Sequence, residues 1–207
     1  MRFIEDNLYH IYNRGNNKQS IFFSPDNYIY FLKQVRHFIL PYCDILDYCL
    51  MPNHFHFLVS VKPLTEIKLK QTDIKEIKAG DKIYASATER HPLSTAIGHL
   101  LSTYTQAINK QNHTTGSLFQ QKTKAKEINR FLYGTTCFHY IHQNPWKAGL
   151  VEKMEDWIFS SFNDYAGFRN GTLCNQELAY KLLNLNKDSF YKEAYMLLGE
   201  YEVNNIF

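Results

Sequence analysis

The sequence lacks an apolar run of the length that a membrane-spanning helix needs, which is about 20 residues. Near the amino terminus, Glu5 and Asp6 lie where a signal peptide would carry its apolar segment. Cysteine is also scarce: the 4 cysteines form no CxxC pair, and we interpret them as reduced thiols. These absences predict a cytoplasmic protein with no membrane partner.

An excess of one charge sign is missing as well, since 23 Lys and Arg face 20 Asp and Glu and leave a net charge of +3. This balance is compatible with a nucleic-acid partner but does not require one. Aromatic side chains, in contrast, make up 15% of the 207 residues. Tyrosine rings with scattered cations are typical of proteins that bind single-stranded nucleic acid, although many of these rings must form core.

The order of the predicted elements favours one α+β fold. Apolar periodicity predicts strands over 8–12, 43–50, 53–61 and 122–126, and helices over 25–39, 93–112 and 130–143. This order is the split βαβ, ferredoxin-like arrangement: an antiparallel sheet with helices on one face and the other face free for a site or a partner. We assign 1–165 to one domain with a charged insertion at about 66–82, and 166–207 to a helical appendage.

A histidine pair lies in the third predicted strand. Because side chains alternate along a strand, His54 and His56 project from one face while Phe55 and Phe57 project from the other. Two imidazoles on a rigid strand form half of a site for a borderline divalent metal. The alternative is that both histidines simply lie on a half-exposed face of the sheet.

A tyrosine and an asparagine share a face of the third predicted helix. Tyr140 and Asn144 are four residues apart, and Pro145 is expected to end the helix. The asparagine carbonyl is a plausible third ligand for Mg²⁺ or Mn²⁺ beside two imidazoles. The alternative is that the tyrosine is an ordinary packing residue, which is also the role that we assign to Tyr104 on the apolar stripe of the second helix.

Cations lie in two segments that can meet nucleic acid. Lys122, Lys124 and Lys126 alternate along a predicted strand and form a row on one face, which can follow a phosphate backbone. An edge strand protected by lysines against aggregation would show the same pattern. Arg14 and Lys18 lie in a polar turn and either grip phosphates or are solvated.

The combination of motifs resembles the single-tyrosine HUH transposases, and within them the REP-associated branch. The segments that carry the resemblance are YHIYNRGN at 9–16, MPNHFH at 51–56, GSLFQ at 116–120, YIHQNP at 140–145 and AGLV at 148–151. The resemblance runs in order from about residue 8 to 165. It implies an enzyme, a metal-dependent single-stranded DNA transesterase, in which His54 and His56 hold Mg²⁺ or Mn²⁺, Asn144 completes the coordination, and Tyr140 is the nucleophile that forms a 5′-phosphotyrosine.

The resemblance also implies a DNA partner, an imperfect hairpin with a cleavage point in adjacent single strand, and a bacterial protein associated with the nucleoid when bound. The expected phosphate contacts are Arg14, Lys18, Lys122, Lys124, Lys126, Arg130 and Lys147. A homodimer stays open, because some members of the broader family are dimers and others act as single chains. Two other functions stay open as well: a hairpin-binding module that no longer cuts, and a metal-dependent hydrolase that uses water.

Overall fold

A computed structural model describes residues 1–67, 91–129, 131–196 and 198–207. The strands are β1 (Leu8–Arg14), β2 (Cys43–Met51), β3 (His54–Val61) and β4 (Lys124–Ile128). The helices are α1 (Pro25–Phe38), α2 (Leu93–Asn112), α3 (Gly134–Lys147), α4 (Phe162–Tyr165), α5 (Gln176–Leu183), α6 (Phe190–Ala194) and α7 (Glu200–Asn204). Most of the predicted charged insertion, and Arg130, lie outside the described residues.

The four strands form one sheet in the order β2-β3-β1-β4, and every neighbouring pair is antiparallel. β2 and β3 are joined by the two-residue turn of Pro52 and Asn53, where the sequence predicted a break between strands. With α1 between β1 and β2, and α2 between β3 and β4, the predicted split βαβ fold is confirmed. No helix among the described residues is long and apolar enough to cross a membrane.

Helices α1 and α2 pack on the face of the sheet that carries the phenylalanines of β3. The Phe31 ring of α1 lies 5.4 Å from the ring of Phe55 and 6.4 Å from that of Phe57. Tyr104 of α2 is fully buried against Phe31, and its hydroxyl donates to the carbonyl of Ile21 at 2.7 Å. The packing role that the sequence predicted for this tyrosine is confirmed.

Helix α3 lies on the opposite face, so the second face of the sheet is only partly free. The Tyr140 ring of α3 is 5.9 Å from the ring of His56, which points away from the phenylalanine face. The carboxyl-terminal elements α6 and α7 pack against α3, and Phe190 and Ile206 belong to the buried core. The histidine face of the sheet therefore becomes the floor of a cavity between the strands and α3.

The proline in α3 does not end the helix, contrary to the prediction. Pro145 lies inside α3, which continues to Lys147 and begins at Gly134 rather than near residue 130. A proline has no N–H, so the carbonyl of Ile141 loses its usual donor. The side-chain amide of Asn144 donates to the carbonyl of Tyr140 at 2.9 Å and contacts that of Ile141 at 3.5 Å. This amide partly replaces the missing donor, which allows one more turn.

Candidate active site

A cavity of about 370 Å³ opens on the histidine face of the sheet. We call it the histidine pocket, and its lining residues are Tyr12, Asn13, Arg14, His54, His56, Gln120, Lys122, Lys124, Tyr140 and Phe207. They come from β1, β3, β4, the segment before β4, α3 and the end of the chain. The sheet register brings the residues of the three strands together, since Tyr12 pairs with His56 and with Lys124, and Arg14 pairs with His54.

His56 lies at the buried end of the pocket. Its Nδ1 is 2.8 Å from Nε2 of His10, and Nδ1 of His10 is 2.8 Å from the carbonyl oxygen of Ile206. Burial lowers the pKa of His10 to about 4, and burial and the neighbouring His10 and His54 lower the pKa of His56. Nε2 of His56 is buried and has no hydrogen-bond partner among the described residues.

His54 lies at the mouth of the pocket and is half-buried. Its Nδ1 is 2.5 Å from Oδ1 of Asn53, whose amide nitrogen donates to the carbonyl of Lys18 at 3.2 Å. Burial, and then the charge of Arg14, lower the pKa of His54 to about 4. The rings of His54 and His56 are 5.0 Å apart and almost perpendicular.

The donor chemistry of this pair suits a divalent cation. Both imidazoles are neutral near pH 7, and a neutral imidazole is the form that ligates metal. The unpartnered Nε2 of His56 is an orphaned polar atom of the kind that a ligand satisfies. The described residues hold no group of three or more His, Cys, Asp or Glu side chains arranged for a metal ion. A divalent cation bound by this pair would therefore take its further ligands from another residue type, from DNA or from water.

Tyr140 faces the same pocket from α3. Its ring is edge-on to the rings of His56 and Phe207, with centroids 5.9 Å and 5.1 Å away. Burial raises the pKa of its phenol to about 12, and a hydrogen bond with Asn144 opposes this shift. The phenol is therefore neutral near pH 7 and has to lose its proton before or during any nucleophilic attack.

Asn144 is half-buried and is not among the residues that line the pocket. Its amide nitrogen is held by the carbonyls of its own helix, as described above. The structure thus brings His54, His56 and Tyr140 together. Asn144, the third expected metal ligand, follows Tyr140 by one helical turn and does not line the pocket.

The predicted phosphate contacts divide into two groups. Arg14, Lys122 and Lys124 line the pocket, and Lys126 continues the row along β4, opposite His10. Lys18 and Lys147 are exposed and do not line it, and Arg130 lies outside the described residues. Since β4 is an edge strand, the protective role of its lysines fits this geometry equally well.

Six residues of this site are not among the predicted site residues: His10, Tyr12, Asn13, Asn53, Gln120 and Phe207. The alternation of β1 places His10 and Tyr12 on the face that carries His56, but only the pairing of β1 with β3 makes them neighbours. No sequence signal marks Phe207, whose ring lies 5.4 Å from the rings of both His10 and Tyr12.

No protein-family model and no curated protein matches the sequence. Among solved structures, the chain is similar to a REP-associated tyrosine transposase bound to a REP hairpin, with 16% identity and a TM-score of 0.55. The match covers 81% of this chain and 83% of that chain. The chain thus shares, at a distance in sequence, the fold of a tyrosine transposase.

Proposed function

We propose that this protein is a single-stranded DNA transesterase of the tyrosine transposase type. One observation carries the proposal: a tyrosine, Tyr140, faces two neutral histidines in a pocket that is also lined by cations. The motif resemblance and the shared fold support the same function, and the transposase of similar fold was solved with a DNA hairpin.

The cations of the pocket suit an anionic substrate. Arg14, Lys122 and Lys124 surround the opening beside His54. A phosphodiester that enters the pocket is attracted by these charges, and the charge that develops on its oxygens during substitution is stabilised by them. The ring of Tyr12, also in the lining, offers a surface on which a base can stack.

Tyr140 supplies the nucleophile in this proposal. Its phenolic oxygen forms a bond to phosphorus, the bond to the 3′ oxygen breaks, and that oxygen leaves with a proton as a free 3′-hydroxyl. One phosphodiester replaces another, so the step is nearly isoenergetic and can reverse onto a second strand without ATP. With a pKa of about 12, roughly one phenol in 100,000 is ionised at pH 7.

His54 and His56 would hold a divalent cation, Mg²⁺ or Mn²⁺, and the resemblance assigns Asn144 as a further ligand. When bound, such a cation supplies Lewis-acid stabilisation of the phosphate charge. The two histidines hold their rings in fixed positions through Asn53 and His10, so their free nitrogens need little reorganisation to bind it.

A hairpin-binding protein that does not cut is the second candidate. The position of Phe207 favours it, because this ring occupies part of the pocket beside Tyr140 and adds to the apolar surroundings of the phenol. Such a protein would bind hairpin DNA with the same cations and would form no covalent product.

The test is a denaturing gel of the protein with labelled hairpin DNA from beside its own gene, with Mn²⁺ or Mg²⁺. Two tyrosines line the pocket, so Tyr140→Phe is compared with Tyr12→Phe as the matched control. We expect a metal-dependent covalent band in the wild type and in Tyr12→Phe, and none in Tyr140→Phe. Cleavage that persists in Tyr140→Phe would indicate a hydrolase that uses water, and binding without cleavage in the wild type would indicate the hairpin-binding module.

A further inference from the structure

We infer that His10 is a positioning residue, which holds His56 in the tautomer and orientation that present an unprotonated Nε2 to the pocket. The inference rests on the proposed function in one respect, namely that the ligand of this nitrogen is a divalent cation. His10 itself is fully buried and does not line the pocket, so it acts through His56 and not by touching DNA.

The carbonyl of Ile206 fixes the protonation of His10. A carbonyl oxygen only accepts hydrogen bonds, so Nδ1 of His10, at 2.8 Å, must carry a proton. A neutral imidazole carries one proton, and Nε2 of His10 is therefore an acceptor. His10 is fully buried, and its two ring nitrogens meet only an uncharged carbonyl and another imidazole, so burial without a carboxylate partner favours the neutral form.

The tautomer of His10 in turn fixes the tautomer of His56. Nε2 of His10 accepts at 2.8 Å, so Nδ1 of His56 has to be the donor. The remaining nitrogen of His56, Nε2, then has no proton. This is the atom that is buried without a partner among the described residues.

His54 has the same tautomer as His56, but a different hydrogen bond fixes it. The amide nitrogen of Asn53 donates to the carbonyl of Lys18, which turns its oxygen toward His54. That oxygen accepts from Nδ1 of His54 at 2.5 Å and leaves Nε2 of His54 without a proton. Two unrelated hydrogen-bond systems thus give both histidines the same tautomer, in which each presents an unprotonated Nε2 that can bind a cation.

A histidine that merely fills core would predict a different outcome. A packing role needs a ring of the right size but no defined proton order, and an apolar ring would replace it with little effect on the pocket. The chain contains a suitable comparison in His91, which is also buried and lies 3.2 Å from the carbonyl of Lys62 through its Nε2. It is not among the residues that line the histidine pocket.

The test uses the full chain without DNA. Long-range ¹H–¹⁵N correlation spectra of the metal-free protein near neutral pH report which imidazole nitrogens carry protons. We expect Nδ1–H in His10 and His56, and an unprotonated Nε2 in His56. A wild-type spectrum with the proton on Nε2 of His56 would overturn the inference, whatever the variants do.

Mn²⁺ affinity, from electron paramagnetic resonance of the free ion, is then compared among three variants. We expect His10→Phe to weaken binding by about 10- to 100-fold. His10→Gln should restore most of it, because its amide can donate to Ile206 and accept from His56. His91→Phe should not change it. Unchanged affinity in a folded His10→Phe variant would overturn the inference, whereas a wild type that binds Mn²⁺ but forms no covalent DNA product would contradict only the proposed function.

Discussion

Among the residues that the structure describes, two groups of polar residues are built around buried histidines, and one of these two groups faces a cavity. The open cluster consists of His10, His54 and His56, and two of its members line the histidine pocket. The closed cluster consists of Asp47, His142 and Ser161, all with 0% of their surface exposed. The closed cluster has the residue types of a serine hydrolase triad, so residue types alone do not distinguish a functional site from a structural cluster.

The direction of the hydrogen bonds separates them. In the closed cluster the Ser161 hydroxyl donates to the Asp47 carboxylate at 2.5 Å, and Nε2 of His142 is 2.8 Å from the same oxygen. Nε2 of His142 also lies 3.0 Å from Oγ of Ser161. Because the carboxylate only accepts, this nitrogen carries a proton and cannot take the serine proton as the base of a nucleophilic serine does. In the open cluster the chain of donors ends on a free Nε2. Histidine thus supports β2 in one cluster and can present a ligand in the other.

The largest effect is expected when the closed cluster is broken. Asp47→Ala leaves the buried His142 and Ser161 without their shared acceptor. Since each unsatisfied buried polar group costs about 1–3 kcal/mol, we expect the free energy of unfolding to fall by about 2–6 kcal/mol. The measurement is urea-induced unfolding. The control is Asp44→Ala on the same strand, because Asp44 pairs with Lys62 at 3.6 Å near the surface and should contribute less than about 1 kcal/mol. Equal losses in the two variants would contradict a structural role for the closed cluster.

Breaking the open cluster should reduce metal affinity strongly and change stability little. His54→Ala removes a half-buried side chain from the mouth of the pocket. We expect Mn²⁺ affinity to fall by more than about 100-fold, beyond the effect of losing a positioning residue, while the free energy of unfolding changes by less than about 1 kcal/mol. Calorimetric titration and urea unfolding measure the two quantities. A variant that loses stability but keeps its metal would reverse the assignment.

Acid should destabilise the protein partly through His139, which lies next to the closed cluster. Burial, and then His142, lower its pKa to about 4. The unfolded chain binds a proton near pH 6.5, so this contribution to stability is present above that pH and is lost as the pH falls toward 4. From pH 7 to pH 5 the loss is about 2 kcal/mol. Unfolding at both pH values should show a shallower loss in His139→Gln, and an identical loss would contradict this assignment.

The smallest effect concerns the cations around the open cluster. Lys122→Ala and Lys124→Ala each remove a charge from the pocket lining. We expect each to weaken single-stranded DNA binding and to reduce the slope of log affinity against log salt by about 0.7. Fluorescence anisotropy at several salt concentrations measures the slope. Lys147→Ala, outside the pocket, is the control, and a slope reduced equally there would show that the lysines act only through overall charge.

Local sequence patterns predicted a large part of the fold. Alternation along β3 placed His54 and His56 on one face because a strand has no other option, and the apolar stripes of α1 and α2 located both helices. The spacing of Tyr140 and Asn144 correctly put them in one helix. The prediction from local pattern failed at Pro145, where the helix continues and the side-chain amide of the preceding residue only partly replaces the missing backbone donor.

The sequence by itself therefore determined which side chains share a face, since the geometry of a strand or helix fixes that within a few residues. Only the tertiary structure decided which faces meet. It placed α3 across the histidine face, paired His10 with His56 through the sheet register, and brought the Ile206 carbonyl to His10 from the far end of the chain. These contacts join residues far apart in sequence, so their geometry depends on packing of the whole core, and no short-range periodicity encodes it.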